Sequence, residues 1–408
     1  MIHTSDEHPD FYHRASDIAS RVRQAFTRLL ASVPASTTDR RGRRTIPGLN
    51  PTLQSRLVRA LEQHDPLATL LHLPGITALR SVLDEARRRE SDPDLLMEAR
   101  AVTDELADFI EQEGLDRETL QATLASDVPE ARDAMVRTSS QMLYKSVANL
   151  KGYAAESTAL IAAVYPDDNP SACSISMIGL IHGLRRFRAD ANHYERGYVP
   201  DSPDSPEMRN LIRTLDGTPV ADLNGPPIID ALTDDPKPRF EEERTSLGIA
   251  WRHVGQDVGR NNTLSYAIGM TMCSAKPRYQ YQDTDSAMMS TASILPSKRF
   301  VIDVLVHHDI WPEADPIVET HSIVPHGQVT ESTRIHRQAD MLNLGVEVSS
   351  LGRRSITFEH AAIAKHGRAL DYLFSSSEQD PSMFRGYRID MQYPLVGVQY
   401  ALVFKLPK

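Results

Sequence analysis

The chain has 408 residues, of which 40% are hydrophobic and 25% charged, a composition typical of a globular protein with a substantial core. Because hydrophobic cores stop growing at about 250–300 residues, this length predicts two or three domains. The formal net charge of −10, taken over the whole chain, argues against a nucleic-acid-binding protein. The two cysteines, Cys173 and Cys273, are too few for a disulfide framework or a four-cysteine zinc site.

The N-terminus and the apolar stretches predict a cytoplasmic protein. Residues 1–9 carry acids where a secretory signal has a basic start followed by an apolar stretch. The longest weakly charged stretches, residues 170–184 and 261–275, are shorter than the roughly 20 apolar residues of a membrane helix. We therefore expect neither export nor a membrane span.

The first half of the chain is predicted to be helical. Apolar residues at three- and four-residue spacing indicate helices over residues 14–32 and 95–110, the second of which stops at Gly114. Three helices are expected to begin where a capping side chain precedes a proline, at Asn50, Asp92 and Asn169. The same spacing predicts a long helix over residues 129–164 and another over residues 171–187.

The second half changes character. Eight prolines in the polar, acidic stretch 189–238 predict a linker or a long surface excursion. The β-branched run 300–306 predicts a buried strand, and two-residue alternation predicts an antiparallel pair formed by residues 387–393 and 398–406. A helix is expected between these strands, over residues 361–374.

The charge is unevenly distributed along the chain. Residues 14–60 contain ten arginines and two aspartates, a net charge of +8, which leaves −18 for the remainder. Residues 84–133 contain 16 acids and 6 arginines, which we expect to form the solvent face of helices. The planar guanidinium of arginine matches phosphate and the guanine edge. The basic segment therefore either binds nucleic acid or forms a solvated surface.

A turn and a helix follow the basic run. Gly48 and Leu49 lead into residues 50–61, which at about 100° per residue have one apolar and one polar face. The predicted DNA-binding residues are those of the polar face and the arginines just upstream: Arg40, Arg41, Arg43, Arg44, Thr52, Ser55, Arg56 and Arg59. The four upstream arginines would contact phosphates or an adjacent minor groove.

This turn and helix, residues 48–61, resemble the second half of bacterial helix-turn-helix DNA-binding domains. In addition, residues 65–75 and 384–394 are similar to segments of uncharacterised bacterial proteins that join such a domain to a large C-terminal region. The chain departs from the helix-turn-helix pattern at Arg44, where a small alanine is usual, and at Pro47, directly before the turn glycine. The resemblance implies a DNA-contacting N-terminal domain of a transcriptional regulator.

Together these features predict a multidomain α+β protein. The four expected regions are a helix-turn-helix-like helical domain (1–90), a helical middle region (91–190), a Pro-rich acidic linker (191–240) and an α+β C-terminal domain with antiparallel strands (241–408). Because a single recognition helix covers few base pairs, we expect a homodimer on double-stranded DNA. The C-terminal domain would mediate dimerisation or sense a small-molecule effector.

Two alternatives remain open at the level of sequence, an enzyme and a structural or assembly protein. Seven of the 15 histidines lie between residues 307 and 366, and imidazole is a ligand for zinc or iron. The candidate metal ligands are His307, His308, His321 and His326. Because these histidines lack metalloprotease spacing and residues 255–262 match no nucleotide-binding loop, we expect no metal and no cofactor.

Overall fold

The computed structural model describes residues 9–33, 48–114, 116, 119–120, 123–124, 129–196, 211–245, 248–255, 257–259, 263–281, 284–312, 315–353 and 357–408. The chain divides into two compact units, the N-terminal unit Met1–Val136 and the C-terminal unit Arg137–Lys408. The first is helical and the second consists mostly of strands, so the predicted α+β class is confirmed. The finer division into four regions stays a prediction.

Six helices begin in the N-terminal unit within the described residues. They are α1 Pro9–Ser32, α2 Pro51–Leu61, α3 Pro66–His72, α4 Ile76–Arg88, α5 Pro93–Gln112 and α6 Pro129–Lys151, which continues into the C-terminal unit. The predicted starts of α2 and α5 are confirmed, because the side chains of Asn50 and Asp92 accept hydrogen bonds from the second backbone N–H of each helix, at 2.8 and 2.9 Å. The proline that follows each of these caps has no backbone N–H and so needs no hydrogen-bond acceptor.

Helix α1 is central to the packing of the N-terminal unit. Its apolar stripe of Ile18, Val22, Phe26 and Leu29 is at most 5% exposed and belongs to one cluster with the apolar faces of α2, α3, α4 and α5. Helix α1 contacts α2, α3 and α5.

Among the described residues, no single helix is long and apolar enough to cross a membrane. Helices α3 and α4, which are joined at a bend of 88°, reach the required length and apolar composition only when they are taken together.

The C-terminal unit contains three sheets and one further helix in its described part. Its elements are β1 Tyr153–Pro166, β2 Ala172–Arg186, β3 Tyr194–Arg196, β4 Ile212–Arg213, β5 Arg239–Thr245, β6 Gly248–Val254, β7 Thr263–Pro277, β8 Ser286–Ser293, β9 Ser297–His307, β10 Ile317–Ser322, β11 Ser349–Gly352, α7 His366–Ser376, β12 Phe384–Gln392 and β13 Val398–Lys405. The main sheet has the order β11-β12-β9-β1-β2-β7-β4, and only β1 and β9 pair in parallel. The second sheet is β10-β13-β8 and the third is β3-β6-β5.

The main sheet is covered on both faces. Val301 and Leu305 of β9 belong to a buried cluster with residues of α7, whereas Ile302 and Val304 pack with residues of β13 in the second sheet. This alternation follows from the two-residue period of a strand. The layers are therefore α7, the main sheet and the second sheet, in that order.

Two predicted helices are wrong. The helix expected over residues 129–164 ends at Lys151, and Gly152, at φ +77, leads directly into β1. The helix expected over residues 171–187 is β2. Asn169 does accept a hydrogen bond from the backbone N–H of Ser171, at 3.0 Å, but in the turn between these two strands. Strands buried on both faces give continuous apolar runs, which periodicity does not distinguish from a buried helix.

The predictions for the C-terminal strands were right about the strands and wrong about their pairing. The strand expected over residues 300–306 is confirmed as β9. β12 and β13 are also strands, but β12 pairs with β9 and β11, and β13 pairs with β8 and β10 in the second sheet. The helix expected over residues 361–374 is α7, which begins at His366. Within residues 191–240, β3, β4 and the short helices Val220–Asp222 and Asp230–Leu232 are formed.

One carboxylate is fully buried in the main sheet. Asp303 of β9 is 0% exposed and accepts two hydrogen bonds from Arg388 of β12, at 2.7 and 2.5 Å. His366 Nε2, at the start of α7, lies 2.9 Å from the same carboxylate. The guanidinium also donates to the carbonyl oxygen of Phe358, at 2.5 Å. This cluster connects β9 and β12 with the start of α7 and with the backbone at Phe358.

We expect Arg388→Met to destabilise the C-terminal unit by about 3–5 kcal/mol, because it leaves the buried Asp303 carboxylate without its counter-charge. The matched control is Lys298→Met, which breaks the exposed Lys298–Glu156 pair and should cost about 0–1 kcal/mol. Urea unfolding followed by tryptophan fluorescence measures this, since both tryptophans, Trp251 and Trp311, lie in the C-terminal unit. If the two substitutions lowered the free energy of unfolding equally, Arg388 would not be the required counter-charge of Asp303.

Candidate functional site

Helix α2 exposes the polar face that its sequence predicts. Its exposed residues include Thr52, Ser55, Arg56 and Arg59. On the opposite face, Leu57 and Ala60 are 1% and 0% exposed and pack in the core of the N-terminal unit. No acid lies in the first turn of the helix. The four predicted DNA-binding residues on α2 therefore share one accessible surface.

The turn before α2 requires its glycine. Gly48 has φ +87, a conformation that L side chains rarely adopt, and a Cβ at this position would lie 2.4 Å from Glu85 Oε1 of α4. The Glu85 carboxylate in turn accepts hydrogen bonds from Arg88 and Arg89, at 3.0 and 3.2 Å. These hydrogen bonds and the side-chain charges lower the pKa of Glu85. The start of α2 is thus next to the arginine-rich end of α4.

The arginines of α1 are used inside the N-terminal unit. Three of them form ion pairs with acids of α5 and its C-terminal end: Arg14–Glu113 at 3.1 Å, Arg28–Glu98 at 2.9 Å, and Arg21–Glu105. Arg23 donates hydrogen bonds to the carbonyl oxygens of Gln63 and His64, at 2.8 and 2.9 Å. Several acids of the stretch 84–133 therefore face α1, and part of the +8 charge is compensated within the unit.

Two arginines on α2 stand apart from this pairing. Among all the residues that the structure describes, no acid lies within ion-pair distance of Arg56 or Arg59. The other predicted DNA-contacting arginines, Arg40, Arg41, Arg43 and Arg44, lie outside the described residues. Arg56 and Arg59 therefore place uncompensated positive charge on the exposed face of α2, as Arg87 does at the end of α4 and Arg100 does on α5.

The candidate metal ligands do not converge on one site. The structure brings His307 and His308 together with Asp309, and one ligand atom from each lies within 4.8 Å of the others. Two of their imidazole nitrogens already have partners: the Asp309 backbone N–H donates to His307 Nδ1 at 3.2 Å, and His308 Nδ1 lies 3.2 Å from the carbonyl oxygen of Met383.

The other two histidines lie elsewhere. His321 is fully buried on β10, with Nε2 3.1 Å from Glu319 Oε2, and His326 is 62% exposed beside Asp340. Burial alone would raise the pKa of Glu319, but its hydrogen bonds with His321 and Arg334 lower that pKa to about 2. Glu319 and Arg334 therefore form a largely buried ion pair beside His321.

The C-terminal unit contains a cavity of about 290 Å³. None of the residues that line it was predicted from the sequence to be a functional residue. It lies against the main sheet, on the face opposite α7, between β8 and the third sheet. Its polar side chains include His193, Glu195 and Trp251. The signal in the sequence is the two-residue spacing of His193 and Glu195, which places both side chains on one side of an extended chain. Because the many prolines around these two residues predicted a linker, this spacing was not recognised as part of a site.

These polar groups form a hydrogen-bonded cluster beside the cavity. Tyr266 O–H donates to Glu195 Oε1 at 2.6 Å, and His193 Nε2 lies 2.9 Å from the same oxygen. Burial and the neighbouring Glu195 raise the pKa of Tyr266 well above its ordinary value. Next to them, burial and the charges of His193 and Arg186 lower the pKa of His253 to about 4. The side chains of His253 and Tyr266 are therefore both uncharged near pH 7.

No protein-family model matches the chain, and no curated protein matches it significantly.

We expect His253 to make the C-terminal unit less stable as the pH falls from about 6.5 to about 4. Folding lowers the pKa of this imidazole, so over that range the unfolded chain binds a proton that the folded chain does not. At pH 5 the contribution is up to about 2 kcal/mol. Urea unfolding at pH 5 and pH 7, followed by tryptophan fluorescence, should show a smaller pH effect in His253→Gln than in the wild type. His336→Gln, at an exposed position, should keep the wild-type pH effect; if it changes equally, His253 is not responsible.

Proposed function

We propose that the protein is a DNA-binding transcriptional regulator that contacts double-stranded DNA through α2. The observation that carries the proposal is the exposed face of α2, where Arg56 and Arg59 lie beside Thr52 and Ser55 and have no acidic partner among the described residues. Arginine, serine and threonine are side chains that contact phosphates and base edges. The resemblance of residues 48–61 to a helix-turn-helix agrees with this use of α2 and remains part of the proposal.

The dimensions of α2 suit the major groove. Eleven residues form a helix about 16 Å long, and a helix with its side chains is about 10–12 Å wide, close to the width of the groove of about 12 Å. The apolar side of α2 is anchored by Leu57 and Ala60, so the polar side is presented on a rigid support. The N-terminal end of a helix also carries a partial positive charge that favours phosphate.

The distribution of charge supports one docking face. Three of the four arginines of α1 are compensated by acids of α5 and its C-terminal end, so they add little attraction for DNA. Arg56 and Arg59 keep their full charge, and the upstream arginines Arg40 and Arg41 would extend the basic surface. Because one short helix covers few base pairs, the proposal includes a homodimer that binds two half-sites.

We expect the full-length chain to bind a duplex of random sequence with an affinity that falls as salt rises from 50 to 200 mM. Arg56→Ala combined with Arg59→Ala should weaken binding at least tenfold at 50 mM salt and reduce the slope of log affinity against log salt by about 2. The matched control is Arg80→Ala with Arg100→Ala, which removes the same charge from exposed positions on α4 and α5. Fluorescence anisotropy of a labelled duplex is the measurement.

The control variant should bind within twofold of the wild type. The proposal fails if the full-length chain shows no salt-dependent binding, or if both double variants weaken binding to the same extent. The second result would mean that net charge, and not the α2 face, attracts the DNA.

A further inference from the structure

The cavity in the C-terminal unit is built mainly from apolar side chains. Those that line it on the main sheet are Leu160, Met177, Ile181, Ile268, Met270 and Phe300. Its volume of about 290 Å³ is just below the range for drug-sized small-molecule sites, about 300–1,000 Å³, so it suits a small ligand. Ile294, which also lines it, is 37% exposed, so the cavity reaches the surface.

A glycine leaves this space open. Gly179 of β2 lies between Met177 and Ile181 on the same side of the strand and lines the cavity. A Cβ at Gly179 would meet only the carbonyl oxygen of Ile268, at 3.9 Å, which is ordinary contact. The backbone there does not need a positive φ, so glycine is not required by conformation. The missing side chain therefore creates room above the sheet.

The polar end of the cavity has unused hydrogen-bonding capacity. Glu195 Oε1 is engaged by Tyr266 and His193, whereas Oε2 has no hydrogen-bond partner in the described part of the chain. Trp251 Nε1 is buried and likewise unpartnered among the residues that the structure describes. A carboxylate whose side chain is only 16% exposed is a strong acceptor, and its hydrogen bonds with cationic donors are about twice as strong as neutral ones.

The charge of the lining selects the class of ligand. Glu195 is the acidic residue of the lining, and no lysine or arginine is among the residues that line the cavity in the described structure. An anion would be repelled by the Glu195 carboxylate, whereas a cation would compensate it. The indole of Trp251 adds an aromatic surface of the type that favours cations.

We propose that this cavity binds a small apolar amine, whose ammonium group donates to Glu195 Oε2 and whose hydrocarbon part fills the space above Gly179. Met177, Met270 and Phe300 supply the apolar contacts. Methionine side chains adapt to irregular shapes, which suits a site of this composition. The binding site lies entirely within the C-terminal unit and does not depend on DNA binding by α2.

Calorimetric titration of the full-length chain tests the proposal with three probes of one shape: cyclohexylmethylamine, cyclohexylmethanol and cyclohexanecarboxylate. We expect the amine to bind the wild type at least tenfold more tightly than the alcohol or the carboxylate. Glu195→Gln should weaken amine binding at least tenfold and leave alcohol binding unchanged. Gly179→Leu should abolish binding of all three probes because its side chain occupies the cavity.

The matched control is Gly225→Leu, at a glycine where an added Cβ meets nothing within 4 Å and which does not line this cavity. It should bind the amine as the wild type does. Tryptophan fluorescence unfolding verifies that each variant folds; if Gly179→Leu does not fold, Gly179→Ala takes its place and should weaken the amine at least threefold.

Failure of the wild type to bind the amine overturns the proposal. Unchanged amine binding in the folded glycine variant shows that the amine binds elsewhere and also overturns it. Equal affinity for amine and alcohol, with no effect of Glu195→Gln, overturns the assignment of the ligand as an amine.

Discussion

Burial of the main sheet on both faces is the constraint on which the C-terminal unit depends. β1 and β9 run in parallel through its centre, with α7 on one face and the second sheet on the other. Each buried side chain of these strands must therefore be apolar or fully paired. Asp303 of β9 meets this condition through Arg388. The cavity lies on one of these faces, next to the edge of the second sheet.

In the N-terminal unit, the corresponding constraint is the pairing of charges between α1 and α5. The acidic stretch and the basic segment are not separate bodies, because acids of α5 and its C-terminal end contact three arginines of α1. Exposed pairs of this kind contribute about 0–1 kcal/mol each, so their main effect is on the electrostatic surface and not on stability. They leave the exposed face of α2, with Arg56 and Arg59, as one place in the described unit where arginines are not compensated by acids.

Local signals predicted local structure well. The caps at Asn50 and Asp92, the two faces of α2 and the strand β9 all follow from residues close together in the chain. The same signals misled at Asn169, where the side chain accepts from the backbone as a helix cap would, but within a turn between strands. Residues 159–164 are apolar without interruption, so neither a period of 2 nor one of 3.6 could be distinguished there.

The sequence by itself determined where α2, α5 and α6 begin and which side of α2 is polar, because capping and helical periodicity act over a few residues. Only the tertiary structure decided which strands pair, which arginines are compensated and which polar groups meet beside a cavity. β12 and β13 are adjacent in the chain but belong to different sheets. Glu195 and Tyr266 are 71 residues apart and meet at 2.6 Å. Such contacts depend on the packing of whole elements, which no local pattern encodes.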